Sequence, residues 1–187
     1  IITAFQLLGY DAVRLTPHDL EIASMLGTIQ SESGLKFIAQ DSGHSLAPAF
    51  TKTLRCGNEK VTVTVAALQT VDPQQLTTLF TSSGPHSVNV AILSDCSKSI
   101  IEKFTPTGIV DCVVCPSEAD EPVVISEKNA RPLVITVGKL GKYVGKLEIN
   151  YRQNGLSLNY KSLPVTENIQ PDPQFHELYK VYQQLVA

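Results

Sequence analysis

Val88-Asn89-Val90-Ala91-Ile92-Leu93 is an almost continuous apolar run. Strands of this kind are typical of parallel sheets, in which other elements cover both faces. A second run of the same character, Ile109-Val110-Asp111-Cys112-Val113-Val114, follows the segment 97–104, whose pattern predicts a helix. Two buried strands joined through a helix favour a right-handed crossover between parallel neighbours. These two stretches therefore predict a protein of the α/β class.

The elements on either side of these strands alternate in the first half of the chain and are mostly β in the second. Thr16 or Pro17 opens a helix that stops before Gly34, with Pro17 in the first turn and Asp19 near the positive end of the helix dipole. This order predicts a layered α/β sandwich with helices outside and two sheets within. The other predicted helices are 3–8, 72–80 and 172–185, and the other predicted strands are 12–15, 35–39, 50–54, 60–68, 123–126, 133–137, 143–151 and 156–161.

The composition excludes several classes of function. The 187 residues carry a formal net charge of −3, and 18% of them are charged. No concentrated basic face of the kind that binds nucleic acid is visible, and no apolar run reaches the ~18 residues of a membrane span. The chain opens on Ile1 without an initiator Met, from which we expect a processed chain or a fragment of a longer one.

The chain has four cysteines, Cys56, Cys96, Cys112 and Cys115. Cys112 and Cys115 lie three positions apart in a predicted strand, where their side chains point to opposite faces, so a bridge between them is not expected. We expect buried free thiols at the four positions. The alternative is a disulfide that joins Cys96 to Cys112 or to Cys115.

Several stretches carry a resemblance to one protein family. In chain order they resemble segments of the calcineurin-like metallophosphoesterases, in the 5′-nucleotidase branch, and the likeness spans nearly the whole chain. The stretches are Leu8-Gly9-Tyr10-Asp11-Ala12-Val13, Thr16-Pro17-His18-Asp19-Leu20, Val90-Ala91-Ile92-Leu93-Ser94, Gly108-Ile109-Val110-Asp111-Cys112-Val113-Val114 and Gly141-Lys142-Tyr143-Val144-Gly145-Lys146-Leu147.

The resemblance implies a four-layer α/β-β/α sandwich of the metallophosphoesterase type, incomplete at the N-terminus because the two early metal-binding motifs of the family would precede Ile1. It implies that residues 1–187 form a single domain, equivalent to the C-terminal two-thirds of the family's domain. Residues 171–187 correspond to the helix that leaves that domain. Members of this branch are usually exported, so the resemblance also implies a periplasmic or otherwise exported protein.

The chemistry of the family depends on two metal ions that activate a water molecule, and this chain departs from the family at their ligands. Pro17 stands in place of a ligating Asn, Asp95 in place of a His, and residues 116–119 in place of a His-x-His pair. Only His18 remains, as a vestigial catalytic residue. We therefore expect no metal and no other cofactor. The alternative is Mg²⁺ or Ca²⁺ held by the carboxylates of Asp95 and Glu118.

Three functions follow from this interpretation. The first is a catalytically degenerate domain that serves as a structural or interaction module, with protein partners that include a multihaem cytochrome. The second is an active metal-dependent 5′-nucleotidase or phosphoesterase, whose missing ligands come from a segment before Ile1. The third is a small-molecule binding protein, in which Ser94, Asp95, Ser117 and Glu118 line a pocket at the carboxyl ends of adjacent strands.

Overall fold

The computed structural model describes residues 2–27, 35–40, 46–80, 86–104, 106–127, 129–139, 141–152, 155–170 and 172–186. The helices in these ranges are α1 (Ile2–Leu7), α2 (Pro17–Met25), α3 (Pro73–Leu79), α4 (Lys98–Ile101) and α5 (Pro173–Val186). The strands are β1 (Ala12–Arg14), β2 (Lys36–Ile38), β3 (Ala49–Cys56), β4 (Glu59–Leu68), β5 (Ser87–Leu93), β6 (Cys112–Cys115), β7 (Leu133–Thr136), β8 (Tyr143–Arg152) and β9 (Gly155–Pro164).

The strands form a mixed five-stranded sheet and two smaller sheets. The large sheet has the order β3-β4-β5-β6-β7, in which β3 is antiparallel to β4 and the remaining pairs are parallel. Strands β1 and β2 form a parallel pair, and β8 and β9 form an antiparallel hairpin. The α/β class is confirmed. The sequence predicted two sheets, whereas the described residues form three, because no hydrogen-bonded ladder joins the β1–β2 pair to the β8–β9 hairpin.

One face of the large sheet, here called the helical face, is covered by α3 and α4. Alternation along β4 and β5 turns Leu68 and Leu93 to this side, where they pack against Leu76 of α3. Phe80, directly after α3, and Phe104, in the turn after α4, are 1% and 0% exposed. The main hydrophobic core of the protein therefore lies between the sheet and these two short helices.

The opposite face, here called the strand-covered face, is covered by β structure. Val61, Val88, Val90 and Cys112 are buried on it. The hairpin β8–β9 packs against them with its apolar positions, which are only partly buried. These positions are Leu147, Ile149, Leu156, Leu158 and Tyr160.

Local signals account for the helix starts. Thr16 caps α2 through a reciprocal pair of hydrogen bonds with Asp19, and Pro17 occupies the first turn, as predicted. Helix α2 ends at Met25 with Leu26 as its C-cap, earlier than the predicted end before Gly34, because Gly27 adopts a positive φ of 64° that stops the helix. Residues 28–34, where that prediction ends, lie outside the described residues. Helix α4 is shorter than the predicted segment 97–104, since its last residues form turns. The predicted strand 123–126 is reduced to a single bridge between Val124 and Ile135.

The cysteines correct one expectation. Cys96 and Cys115 form a disulfide, with Cα atoms 5.6 Å apart, rather than two free thiols. The physical reason is the parallel pairing of β5 with β6, which brings the loop after β5 beside the end of β6. The alternative that joined Cys96 to Cys115 is the one observed, whereas Cys112 is a buried free thiol and Cys56 a half-buried one.

Among the described helices, none combines the length and the apolar character that a membrane crossing requires.

Candidate functional site

The carboxyl ends of β1 and β5 meet at one edge of the fold. Arg14, the last residue of β1, donates a hydrogen bond from its guanidinium group to the hydroxyl of Ser94 at a distance of 2.5 Å. Ser94 directly follows β5, and its backbone N–H donates to the carbonyl of Leu68 at the end of β4. The guanidinium group of Arg14 therefore links the ends of two strands that belong to different sheets.

The start of α2 lies beside Arg14. The carboxylate of Asp19 accepts hydrogen bonds from the backbone N–H of Thr16 at 2.8 Å and from its hydroxyl at 2.6 Å. The hydroxyl hydrogen bond from Thr16 is the main cause that lowers the pKa of Asp19, and the nearby His18 and Arg14 act in the same direction. Burial lowers the pKa of Arg14, while the negative charge of Asp19 opposes that effect. The Asp19 carboxylate is thus held as an anion by the helix cap.

The structure brings only some of the predicted site residues together. Ser94 and Asp95 are exposed in the loop after β5, and Asp95 makes none of the described hydrogen bonds or ion pairs. Ser117 is half-buried after β6, and its hydroxyl accepts a hydrogen bond from the backbone N–H of Ala119 at 3.0 Å. Glu118 is exposed in the same turn. The Cys96–Cys115 disulfide joins the two loops that carry these residues.

His18 lies in the first turn of α2 and is exposed, next to the exposed Pro17. Across the ranges that the structure describes, no group of three or more His, Cys, Asp or Glu side chains is placed to hold a metal ion.

Two polar residues of this edge were not predicted as site residues. Arg14 is one of them. Its position in the sequence, between a short apolar strand and the start of a helix, could have indicated a site residue. Gln40, which follows β2, is the other. Its side-chain carbonyl accepts hydrogen bonds from the backbone N–H groups of Gln69 and Thr70, and its amide group donates to Gln75 at 2.7 Å. Gln40 therefore fixes the loop between β4 and α3, a role that depends on contacts distant in sequence.

A second polar cluster lies at the opposite end of the strands. The carboxylate of Asp111 accepts a hydrogen bond from the backbone N–H of Asn89 at 2.9 Å, and Arg131 lies 3.9 Å from its other oxygen. Burial raises the pKa of Asp111, although the Asn89 hydrogen bond and the charge of Arg131 oppose the rise. This cluster borders a cavity of about 230 Å³ that Leu133 of β7 and Leu156, Ser157 and Leu158 of β9 also line. Its hydrogen bonds hold the starts of β5 and β6 in register.

In comparisons with known proteins, the chain matches no protein-family model and no curated protein. The resemblance to metallophosphoesterases stays a prediction from the quoted residues.

Proposed function

We propose that this chain is a catalytically degenerate metallophosphoesterase-like domain that serves as a structural or interaction module. The observation that carries the proposal is the hydrogen bond between Arg14 and Ser94 at the carboxyl edge. In the metallophosphoesterases that this chain resembles, the metal ions bind at the corresponding edge. Here a guanidinium group, which stays protonated in proteins, lies beside the serine that precedes the replaced ligand position Asp95.

The charge of Arg14 opposes the binding of a divalent cation next to Ser94, because like charges repel most strongly where water is partly excluded. The neighbouring groups favour the same interpretation. The Asp19 carboxylate already accepts a hydrogen bond from the backbone N–H of Thr16, and the Ser117 hydroxyl accepts one from the backbone N–H of Ala119. Arg14, Asp19 and Ser117 are therefore engaged in hydrogen bonds within the protein.

The interaction role is supported by apolar side chains that the fold leaves in solvent. Met25 and Leu26 at the end of α2 are 81% and 69% exposed, and Leu8 after α1 is 56% exposed. In α5, Tyr179 and Tyr182 are also exposed, with their rings stacked 6.5 Å apart. Clusters of exposed apolar residues are typical of surfaces that contact other proteins.

The same proposal includes the four-layer α/β-β/α sandwich and the setting of the protein. The helices on one face of the large sheet and the two small sheets that adjoin the other are compatible with that architecture. We place the module in a larger bacterial protein or complex that is exported to the periplasm or a similar compartment. The Cys96–Cys115 disulfide is compatible with that setting. A multihaem cytochrome is the partner that we propose, and redox chemistry would belong to it.

Metal analysis combined with hydrolysis assays tests the loss of catalysis. The purified chain is incubated with Mn²⁺, Zn²⁺ or Mg²⁺, freed of unbound metal and assayed with adenosine monophosphate and with bis(p-nitrophenyl) phosphate. We expect no stoichiometric metal and no turnover above the buffer rate. One or two ions per chain, with turnover that Asp95→Asn removes and Glu102→Gln preserves, would establish the active phosphoesterase instead.

A further inference from the structure

The cavity beside Asp111, here called the Asp111 cavity, has a mixed lining. Its lining includes the charged residues Asp111 and Arg131 together with the aliphatic residues Leu133, Leu156 and Leu158. Its volume of about 230 Å³ lies below the ~300–1,000 Å³ of cavities that hold drug-sized ligands. The cavity therefore suits a small molecule that combines charged groups with an aliphatic part.

The carboxylate of Asp111 is held in place by the backbone. One oxygen accepts a hydrogen bond from the N–H of Asn89 at 2.9 Å. The other oxygen lies 3.9 Å from the guanidinium group of Arg131, a distance too long for a hydrogen bond. Among the residues that the structure describes, this second oxygen accepts no hydrogen bond. It can therefore accept one from a donor that enters the cavity.

The guanidinium group of Arg131 is also held by the backbone. One of its nitrogens donates a hydrogen bond to the carbonyl of Leu156 in β9, and another is the nitrogen nearest to Asp111. The Arg131 side chain is 62% exposed, so its remaining N–H groups are accessible. A carboxylate and a guanidinium group are thus positioned side by side by the fold. Groups that are positioned beforehand lose less conformational entropy when a ligand binds.

The two opposite charges favour an occupant that carries both signs. Asp111 repels a simple anion and Arg131 repels a simple cation, and the repulsion is strongest where water is partly excluded. An α-amino acid carries an ammonium group and a carboxylate on one carbon, so it offers each side chain its opposite charge. Burial raises the pKa of Asp111, so its charged form is further stabilised by a second positive charge.

The leucines favour an aliphatic side chain on that occupant. Leu133, Leu156 and Leu158 are half-buried and pack against the core of the strand-covered face. A ligand side chain that contacts them removes apolar surface from water, which favours binding. Glycine and purely polar amino acids lack this contribution.

We propose that the Asp111 cavity binds a free α-amino acid with an aliphatic side chain. The ammonium group of the ligand donates to the second oxygen of Asp111, its carboxylate accepts from Arg131, and its side chain contacts the leucines. The proposal goes beyond the proposed function and does not rest on it, because this cavity lies at the end of the strands opposite to the carboxyl edge.

Isothermal titration calorimetry with related ligands tests the proposal. The ligands are L-leucine, L-isoleucine and L-valine, together with three that each lack one part of leucine. Isocaproate lacks the ammonium group, isoamylamine lacks the carboxylate, and glycine lacks the side chain. We expect at least one of the aliphatic amino acids to bind at least about tenfold more tightly than each of these three, because each loses a charged hydrogen bond or the apolar contact.

Matched variants locate the site. Asp111→Asn and Arg131→Gln should each weaken amino-acid binding at least about tenfold, because each removes a charged partner of the ligand. Asp120→Asn and Lys98→Gln are the controls, since each removes one charge of an ion pair outside the cavity, and both should leave binding unchanged. Thermal unfolding of the four variants establishes that they fold.

A charge reversal separates ligand binding from a purely structural role of the Asp111–Arg131 pair. Arg131→Glu places two carboxylates beside the cavity, so this variant should bind isoamylamine more tightly than any of the amino acids. Arg131 is exposed, so its variants carry the test even if Asp111→Asn does not fold. An unchanged order of ligand preference in Arg131→Glu would contradict the proposal.

Three further outcomes overturn the proposal. The first is the absence of binding by all three aliphatic amino acids at millimolar concentration, the result expected if residues outside the described ranges fill the cavity. The second is equally tight binding of isocaproate or isoamylamine, and the third is an equal loss in the control variants. None of these bears on catalysis, so the proposed function would survive them. Metal-dependent turnover, conversely, would remove the proposed function and leave amino-acid binding to be measured independently.

Discussion

The two faces of the large sheet are covered in different ways. On the helical face, short helices bring large side chains such as Phe80 and Phe104 into complete burial. On the strand-covered face, the β8–β9 hairpin contributes side chains that stay partly exposed, and a cavity lies between the β1–β2 pair and the large sheet. We infer from this contrast that packing on the helical face contributes more to the stability of the fold than packing on the strand-covered face.

Truncation of the two cores should give the largest contrast. Phe80→Ala should lower the free energy of unfolding by ~3–5 kcal/mol, because it leaves a cavity in a fully buried site. Leu147→Ala should cost only about 1 kcal/mol, because this half-buried side chain loses less contact. Urea unfolding followed by circular dichroism measures both. Equal costs would mean that the two faces contribute alike.

Removal of the disulfide should weaken the helical face further. Cys115 belongs to the core of that face, and its bond to Cys96 closes a loop with a sequence separation of 19. The double variant Cys96→Ala/Cys115→Ala should lose about 3 kcal/mol through the greater entropy of its unfolded chain. Differential scanning calorimetry measures the loss, with Cys56→Ala as the control. A loss no greater than that of the control would contradict the prediction.

The Asp111 cluster should make stability depend on pH with a definite sign. Its pKa is raised in the fold by burial, so the folded state holds this proton more tightly than the unfolded chain does. Stability is then greatest below the unfolded pKa and falls as pH rises through the folded pKa. Asp111→Asn should remove this fall in the free energy of unfolding. Urea unfolding at a series of pH values between pH 3 and pH 7, a range that begins below the ordinary pKa of a carboxyl group, measures it.

Arg131→Gln gives the opposite change in the same titrations. The charge of Arg131 lowers the pKa of Asp111, so its removal should raise that pKa further and deepen the fall. A profile that neither variant alters would show that Asp111 does not control the pH dependence.

The smallest effect concerns the reactivity of the two free thiols, Cys56 and Cys112, which should differ in the folded protein. On the strand-covered face, burial and the charge of Asp111 raise the pKa of Cys112 to about 12, whereas Cys56 is half-buried. Because the thiolate is the reactive form, Ellman's reagent at mild alkaline pH should label Cys56 first and Cys112 only on unfolding. Cys56→Ser should abolish the early phase. A residual early phase in that variant would contradict the burial of Cys112.

Patterns that are local in sequence predicted most of the elements. The apolar runs that begin at Val88 and Ile109 contain β5 and β6. The helices predicted to open at Thr16 or Pro17 and at residue 72 are α2 and α3, whose N-caps are Thr16 and Asp72. The apolar runs and the helix-start residues are both patterns of a few consecutive residues, so they can be recognised without knowledge of distant contacts.

Features that depend on neighbouring strands could not be predicted in the same way. The pairing of Cys96 with Cys115 rather than Cys112 follows from the register of β5 against β6. The contact between Arg14 and Ser94 joins residues 80 positions apart. Helix α4 ends early although its pattern continues to Phe104, because turns bring that ring into the core. The roles of His18, Asp95 and Glu118 stay predictions.

The most direct test of the central claim is anomalous diffraction from crystals of this chain grown with Mn²⁺. We expect electron density that places the Arg14 guanidinium within hydrogen-bond distance of the Ser94 hydroxyl, and no anomalous peak beside Pro17, Asp95 or Ser117. One or two manganese peaks there, with Arg14 turned away from Ser94, would contradict it.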